Sequence, residues 1–378
     1  MTLDGVLVQA TPQLNWAWFG IRLTPAALLS DTRAYPDVSE PQRRAEALTQ
    51  EQAWLAAQWS TAHGARWELR YTNDPLRCVL LGRTHAVDPA TAESAAAALR
   101  TRLATTPRHV RAEPIDDPAE VGSALAPSGM DPRGCHELRK RLAWSVCTRP
   151  ETGRKVCFAV TPLAPDGRSW EPVWQELARS STPTVLSVYL EPYAPPPGLT
   201  AEIGLLAQEY SRLAAAGQRN PLWTVTAPPD QFAMAAAPAY AEAARRYTGH
   251  TFRLRISIAA AGPIRPGFPE LVAATVGGGV VCRPPASEIG VAWRNMAALN
   301  RDWLDETYRQ GSPAGLLSPT EQILTDLVDL TEAAGAFRLP YEIDGHLPLF
   351  TATGAGPRPA APSVRPARRD PGAPTFER

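Results

Sequence analysis

Trp67-Glu68-Leu69-Arg70-Tyr71, then Arg77-Cys78-Val79-Leu80-Leu81, then an alanine-rich run entered at Asp88-Pro89 and carried to Leu103, decide how the rest of the chain is read. In the first run three large apolar residues alternate with Glu68 and Arg70, the period of two expected of an antiparallel strand with one buried and one polar face. Thr72-Asn73-Asp74-Pro75 supplies a turn. Arg77 to Leu81 is more continuously apolar, as a central strand would be, and Gly82-Arg83-Thr84-His85 is expected to end it. Asp88 can cap the next helix with Pro89 at its first position, where the missing N–H costs nothing. Ala92, Ala96, Leu99 and Leu103 then fall on one helical stripe. Upstream, Ser39-Glu40-Pro41 opens a helix with Leu48, Leu55 and Trp59 at helical spacing, closing at Gly64.

A fainter copy of this unit returns later. A helix over 231–247 leads into Phe252-Arg253-Leu254-Arg255-Ile256-Ser257-Ile258, and a Pro/Gly loop then leads to a short helix from Pro269-Glu270. The expected fold class is therefore α+β: two pseudo-repeated strand-pair-plus-helix units, a C-terminal helical segment and a disordered tail. Residues 1–126 form the first unit, adding strands around Val6 to Val8, Trp16 to Leu23 and Val110 to Glu113 and a helix over 118–125. Residues 127–168, punctuated by Pro127-Ser128-Gly129 and Asp131-Pro132-Arg133-Gly134, read as an irregular connection with one strand at Val156 to Val160. Residues 169–290 hold the second unit, including the strand Thr184 to Leu190 and a helix over 200–217. Residues 291–340 read as helical, with one helix over 291–305 and another opened by the capping box Ser318-Pro319-Thr320-Glu321 and running to Gly335. Residues 341–378 are a connector and a Pro/Arg-rich tail with almost no apolar anchor, expected to be disordered.

The 378 residues exceed what one core usually organises, and 44% hydrophobic content is ample for packed interiors. Thirty-eight basic residues balance 38 acidic ones, so no long-range field gathers nucleic acid or an anionic membrane. Lys140 and Lys155 are the only lysines, a bias that GC-rich coding produces without selection for guanidinium chemistry. Five scattered cysteines do not describe a disulfide framework, which fits a reduced, cytoplasmic setting. The N-terminus lacks the pattern of a signal peptide, and no apolar run approaches the length that spans a bilayer, so direct membrane insertion is not expected.

Motifs for chemistry are thin. Neither lysine follows a glycine-rich turn of the phosphate-binding type, and Gly277-Gly278-Gly279 reads as a helix end rather than a dinucleotide fingerprint. Cys135-His136-Glu137 with Cys147 and Cys157 offers soft ligands but not the paired spacing of a structural zinc site. Ser128 lacks the glycine that precedes a nucleophile elbow. No cofactor, metal or catalytic group is expected on these grounds. If the chain is instead a stand-alone enzyme or small-molecule binder with a cleft between the two units, Arg83, His85, Asp116 and Asp117 are its candidate polar groups, because strand ends and the loops after them commonly carry sites. A purely structural module that self-associates into a homo-oligomer is a third reading.

Glu332-Ala333-Ala334-Gly335-Ala336-Phe337-Arg338-Leu339-Pro340 and Gly345-His346-Leu347-Pro348-Leu349-Phe350 add a different kind of information. They resemble the connector that joins the N-terminal non-catalytic region of large actinobacterial ATP-binding proteins of the FtsK/HerA and conjugation-ATPase class to their P-loop motor. Leu80-Leu81-Gly82-Arg83, Arg111-Ala112-Glu113-Pro114, Arg168-Ser169-Trp170-Glu171-Pro172 and Leu190-Glu191-Pro192-Tyr193 follow the order of that region. The motor itself does not follow. The resemblance implies an accessory or adaptor subunit that docks on a separately encoded P-loop ATPase in DNA or protein translocation or phage defence. Phe337, Arg338, Leu339, Pro340 and Phe350 would present the apolar end for that partner.

Overall fold

The computed structural model describes residues 5–26, 38–73, 75–127, 129–149, 153–167, 169–217, 227–342 and 348–350. The disorder expected beyond Phe350 lies outside them, as do Asp74 of the first turn and Ser128. The chain opens with β1 (Val6–Ala10), β2 (Asn15–Pro25), α1 (Glu40–Gln58), β3 (Arg66–Thr72), β4 (Arg77–Ala86), α2 (Pro89–Leu103), β5 (Val110–Pro114) and α3 (Pro118–Leu125). It continues with β6 (Asp131–Arg139), β7 (Leu142–Val146), β8 (Val156–Val160), α4 (Glu171–Ala178), β9 (Thr184–Tyr193), α5 (Pro197–Ala214), α6 (Gln231–Arg246), β10 (Thr251–Ala260) and α7 (Phe268–Thr275). The last elements are β11 (Val280–Cys282), α8 (Ile289–Ala298), α9 (Asp305–Arg309), α10 (Pro319–Leu324), β12 (Leu327–Val328) and α11 (Leu330–Ala336).

The α+β class is what the structure shows. Ten strands form one antiparallel sheet in the order β1-β2-β4-β3-β9-β10-β6-β11, with β5 added to β2 and β12 to β10. The two units read from the sequence are fused edge to edge where β3 pairs with β9, from Trp67 opposite Leu190 to Thr72 opposite Val185. Continuous strand pairing, rather than a cleft, joins them along β3 and β9. Residues 127–168 are also more than a connection: they supply β6, which pairs with β10 and β11 inside the main sheet, and the separate hairpin β7–β8.

Local signals explain most elements. Asp88 accepts from the Thr91 N–H at 2.8 Å to start α2, whose Ala92, Ala96, Leu99 and Leu103 are all buried. The Ser39 N–H donates to the Gln42 side chain at the start of α1. Gly82 does not end its strand. It lies opposite Phe19, and a side chain there would collide with the Phe19 ring, so the glycine lets β4 run on to Ala86. Two expected helices are shorter than their apolar patterns. The helix from Ile289 stops at Leu299, a buried non-glycine residue at φ 54, and the helix from Ser318 stops at Leu324, after which Leu327–Val328 pair with Arg253 and Phe252. Asp329 then caps α11 afresh by accepting from the Glu332 N–H. A sheet edge with unpaired backbone outcompeted helix propensity there.

One face of the sheet, carrying Trp67, Leu69, Tyr71, Leu80, Leu186, Val188, Leu190, Phe252, Leu254 and Ile256, packs beneath α1, α2, α4, α7 and α11 as the main core. Hairpin β7–β8 packs with α5, α6 and α10 around a second core that includes Phe158, Ile203, Tyr210 and Tyr240, and forms a lobe beside the body. No helix among the described residues is long and apolar enough to cross a membrane.

Candidate functional site

The other face of the sheet is the unexpected one. The period-two reading implied a polar, solvated surface, yet Glu68, Arg70, Arg83, Arg255, Ser257, Glu137 and Arg139 are all buried. They form a continuous ladder across the strands. Arg70 Nε donates to Glu68 Oε1 at 3.0 Å, and Arg255 Nη2 donates to Glu68 Oε2 at 2.6 Å. The Arg255 guanidinium spans β9 by lying over the Tyr189 ring, 5.0 Å from its centroid. Arg255 Nη1 then donates to Ser257 Oγ, whose hydroxyl donates to Glu137 Oε1 at 2.6 Å, and Arg139 Nη2 donates to Glu137 Oε2 at 2.9 Å. Arg139 ends the ladder on the hydroxyl and ring face of Tyr308.

Carboxylates alone do not balance these guanidinia, and helix C-termini complete them. Arg70 also donates to the carbonyls of Ala124 and Leu125 at the end of α3 and of Met296 in α8. Arg255 donates to the Asn295 carbonyl at 3.0 Å, and Arg83 to that of Ala298 and to Asn300 Oδ1, both at 2.6 Å. The last carbonyls of a helix lack internal partners and sit at the negative end of its dipole, so the arginines satisfy both defects at once. At the rim, Arg301 links Glu191 at 3.1 Å to Asp326 at 3.2 Å, and Arg253 also pairs with Asp326. Burial works against ionisation of Asp326, but Arg253 and Arg301 outweigh it and hold the carboxyl below its usual range.

The residues singled out from the sequence are scattered. Arg83 and His85 lie on this inner face at one end of β4 with Trp16, whose ring is 4.2 Å from the Arg83 guanidinium carbon and 4.8 Å from the His85 ring. Burial first, and then Arg66, push Arg83 down to about 9 and His85 below its ordinary value. Asp116 and Asp117 are exposed, and Asp117 uses its carboxylate to accept from the Ala119 N–H at the start of α3. Among the described residues no hydrogen bond or ion pair joins either aspartate to Arg83 or His85, so the four do not form one site.

Phe337, Arg338, Leu339, Pro340 and Phe350 are likewise not a presented end. All are buried. Glu51 of α1 draws them in: its carboxylate pairs with Arg338 Nε at 3.0 Å, accepts from the Leu339 N–H at 3.2 Å and lies 3.2 Å from His109 Nε2. Phe337 stacks with Trp54, and Phe350 meets Trp174 edge-on at 5.1 Å. An apolar segment with a central arginine suggests a docking end from sequence alone; Glu51, a charge buried on α1, is the partner that turns it inward.

The surface that does present apolar groups is the lobe. Of the six large apolar side chains exposed among the described residues, Trp144, Val146, Leu205, Met234 and Leu316 belong to it, and only Val87 lies elsewhere. Its hairpin has one closed and one open edge. The Tyr210 hydroxyl accepts from the Phe158 N–H at 2.6 Å, and the Tyr240 hydroxyl donates to the Phe158 carbonyl, so β8 is closed there. On β7 the Arg141 carbonyl and the Cys147 N–H bond the β8 side. That alternation turns the N–H and C=O of Trp144 and Val146 outward. Gln310 accepts from the Leu142 N–H and the Ser145 hydroxyl donates weakly to the Val146 carbonyl at 3.4 Å, while no strand pairs with the outward side of β7 among the described residues.

No protein-family model matches the chain, and no curated protein matches it.

Proposed function

We propose that this chain is a non-catalytic binding module that docks on a partner through its lobe by adding a strand to β7. The observation that supports the reading is the coincidence of a strand edge left unpaired among the described residues with exposed apolar side chains, Trp144 at 39% and Val146 at 66% exposure. The resemblance of the segments around Arg83, Glu113, Trp170, Glu191 and Phe337 to the non-catalytic region of FtsK/HerA-class proteins supplies the partner: a separately encoded P-loop ATPase in the cytoplasm. In this reading the segment from Glu332 to Leu339 keeps its likeness but acts inside the body, while β7 makes the contact.

The test is a tagged full chain expressed in its native host, with retained proteins identified by mass spectrometry. Recovery of a P-loop ATPase by the wild type, and its loss with Val146→Lys, is the expected result, because a lysine on an open edge blocks strand addition. Retention of no ATPase by the wild type overturns the partner; equal retention by Val146→Lys overturns the surface.

A further inference from the structure

A cavity independent of the docking lobe opens where β2, β3 and β4 pass beneath the end of α3. Its volume is about 250 Å³. An apolar cavity of about 150 Å³ is enough to hold benzene, so this one admits a molecule of roughly ten to fifteen heavy atoms. Most of the wall is apolar, from Leu23, Leu76, Val79 and Phe350, and the polar groups are concentrated in Arg22, Arg70 and Arg77 with Glu120. These charges are not equivalent. Arg70 spends its donors on Glu68 and on the Ala124, Leu125 and Met296 carbonyls. Arg22 is held by Glu120 at 3.1 Å through Nε and again through Nη2. The Arg77 side chain, at the exposed start of β4, has no hydrogen bond or ion pair among the described residues. The cavity therefore offers a largely apolar body with one unspent guanidinium at its mouth.

We propose that it binds an organic carboxylate with an apolar body of about ten carbons, the carboxylate on Arg77 and the body against Leu23, Leu76, Val79 and Phe350. A planar guanidinium favours a carboxylate through two parallel hydrogen bonds. A dianion such as a phosphate monoester would leave a second charge facing apolar wall, which costs more than one guanidinium returns. The Arg22–Glu120 pair beside the mouth disfavours cations as well, because its carboxylate is already engaged.

Titration calorimetry on the full chain tests this with decanoate as the probe and decan-1-ol and decyltrimethylammonium as neutral and cationic counterparts of the same length. Decanoate is expected to bind with a dissociation constant on the order of 100 μM, about tenfold tighter than either counterpart. Arg77→Gln should remove that tenfold preference. Ser123→Trp, which enters the cavity from an exposed position on α3, should abolish binding without touching the core. Val146→Lys should leave decanoate binding unchanged, which separates this site from the docking surface. Absence of heat at millimolar decanoate with the chain folded overturns the proposal. So does decanoate binding that is undiminished in both Arg77→Gln and Ser123→Trp, since the ligand would then be elsewhere.

Discussion

The body and the lobe invert the usual arrangement in opposite senses. In the body, a strand face that alternates glutamate, arginine and serine is covered by helices and buried, whereas in the lobe Trp144 and Val146 stand on an uncovered edge. The body shows that alternation identifies a strand without identifying solvent: Glu68 and Arg70 read as an outer face until α3 and α8 bring carbonyls to them. The lobe shows the reverse, since tyrosines close β8 while no strand among the described residues pairs with the outer side of β7. Charge hidden inside contributes to a unique fold; apolar surface left outside is free to meet something else.

The largest expected effect lies on the hidden charge. Glu68→Ala leaves Arg70 and Arg255 without their shared carboxylate in the interior, a loss of about 3–5 kcal/mol by analogy with broken buried pairs, measurable by urea unfolding. Leu69→Ala, one residue away on the apolar face, should cost about 2–5 kcal/mol through lost burial and a cavity. If the Glu68 variant instead unfolds within error of the wild type, the ladder is not a structural element and the contrast between the regions fails. Glu68→Gln keeps one acceptor oxygen but turns an NH2 donor toward the other guanidinium, so it too should destabilise the chain, by less than Glu68→Ala because one of the two arginines keeps its partner.

Acid is a gentler probe of the same contrast. Burial, followed by nearby arginines for His85 and opposed by Gly134 for His136, lowers both imidazoles below their ordinary value. The unfolded chain then binds protons that the folded chain refuses, so stability is complete above about pH 6.5 and falls as pH drops below it towards the lower folded values. A melting temperature a few degrees lower at pH 5.5 than at pH 7.5 is expected, on the order of 1–3 °C, and His85→Gln should reduce the difference. The smallest effect belongs to the lobe: Val146→Lys should change stability by no more than about 0.5 kcal/mol, because the side chain it replaces is already in solvent.

Much of the body was legible because its signals are local. Asp88-Pro89 and the stripe ending at Leu103 specify α2 without help from elsewhere, and Trp67, Leu69 and Tyr71 specify a strand and its buried face. What escaped depends on partners distant in sequence. Glu-Leu-Arg occurs twice, at 68–70 and 137–139, and Arg253, Arg255 and Ser257 alternate in the same way, so a hint of the ladder was present. Its burial was not, since that depends on α8, more than 200 residues beyond Arg70. Arg338 looked available because Glu51, its partner, lies 287 positions earlier on a helix otherwise read for its apolar stripe. The open edge of β7 was invisible for the same reason, as residues 127–168 carried enough Pro and Gly to read as a connection.

Hydrogen exchange on the full chain, alone and with any P-loop ATPase that the pull-down recovers, tests the docking account most directly. The account predicts slowed exchange at the outward amides of Trp144 and Val146, with the strands of the body unchanged. Exchange that is identical with and without the ATPase, or protection confined to the body, would contradict it.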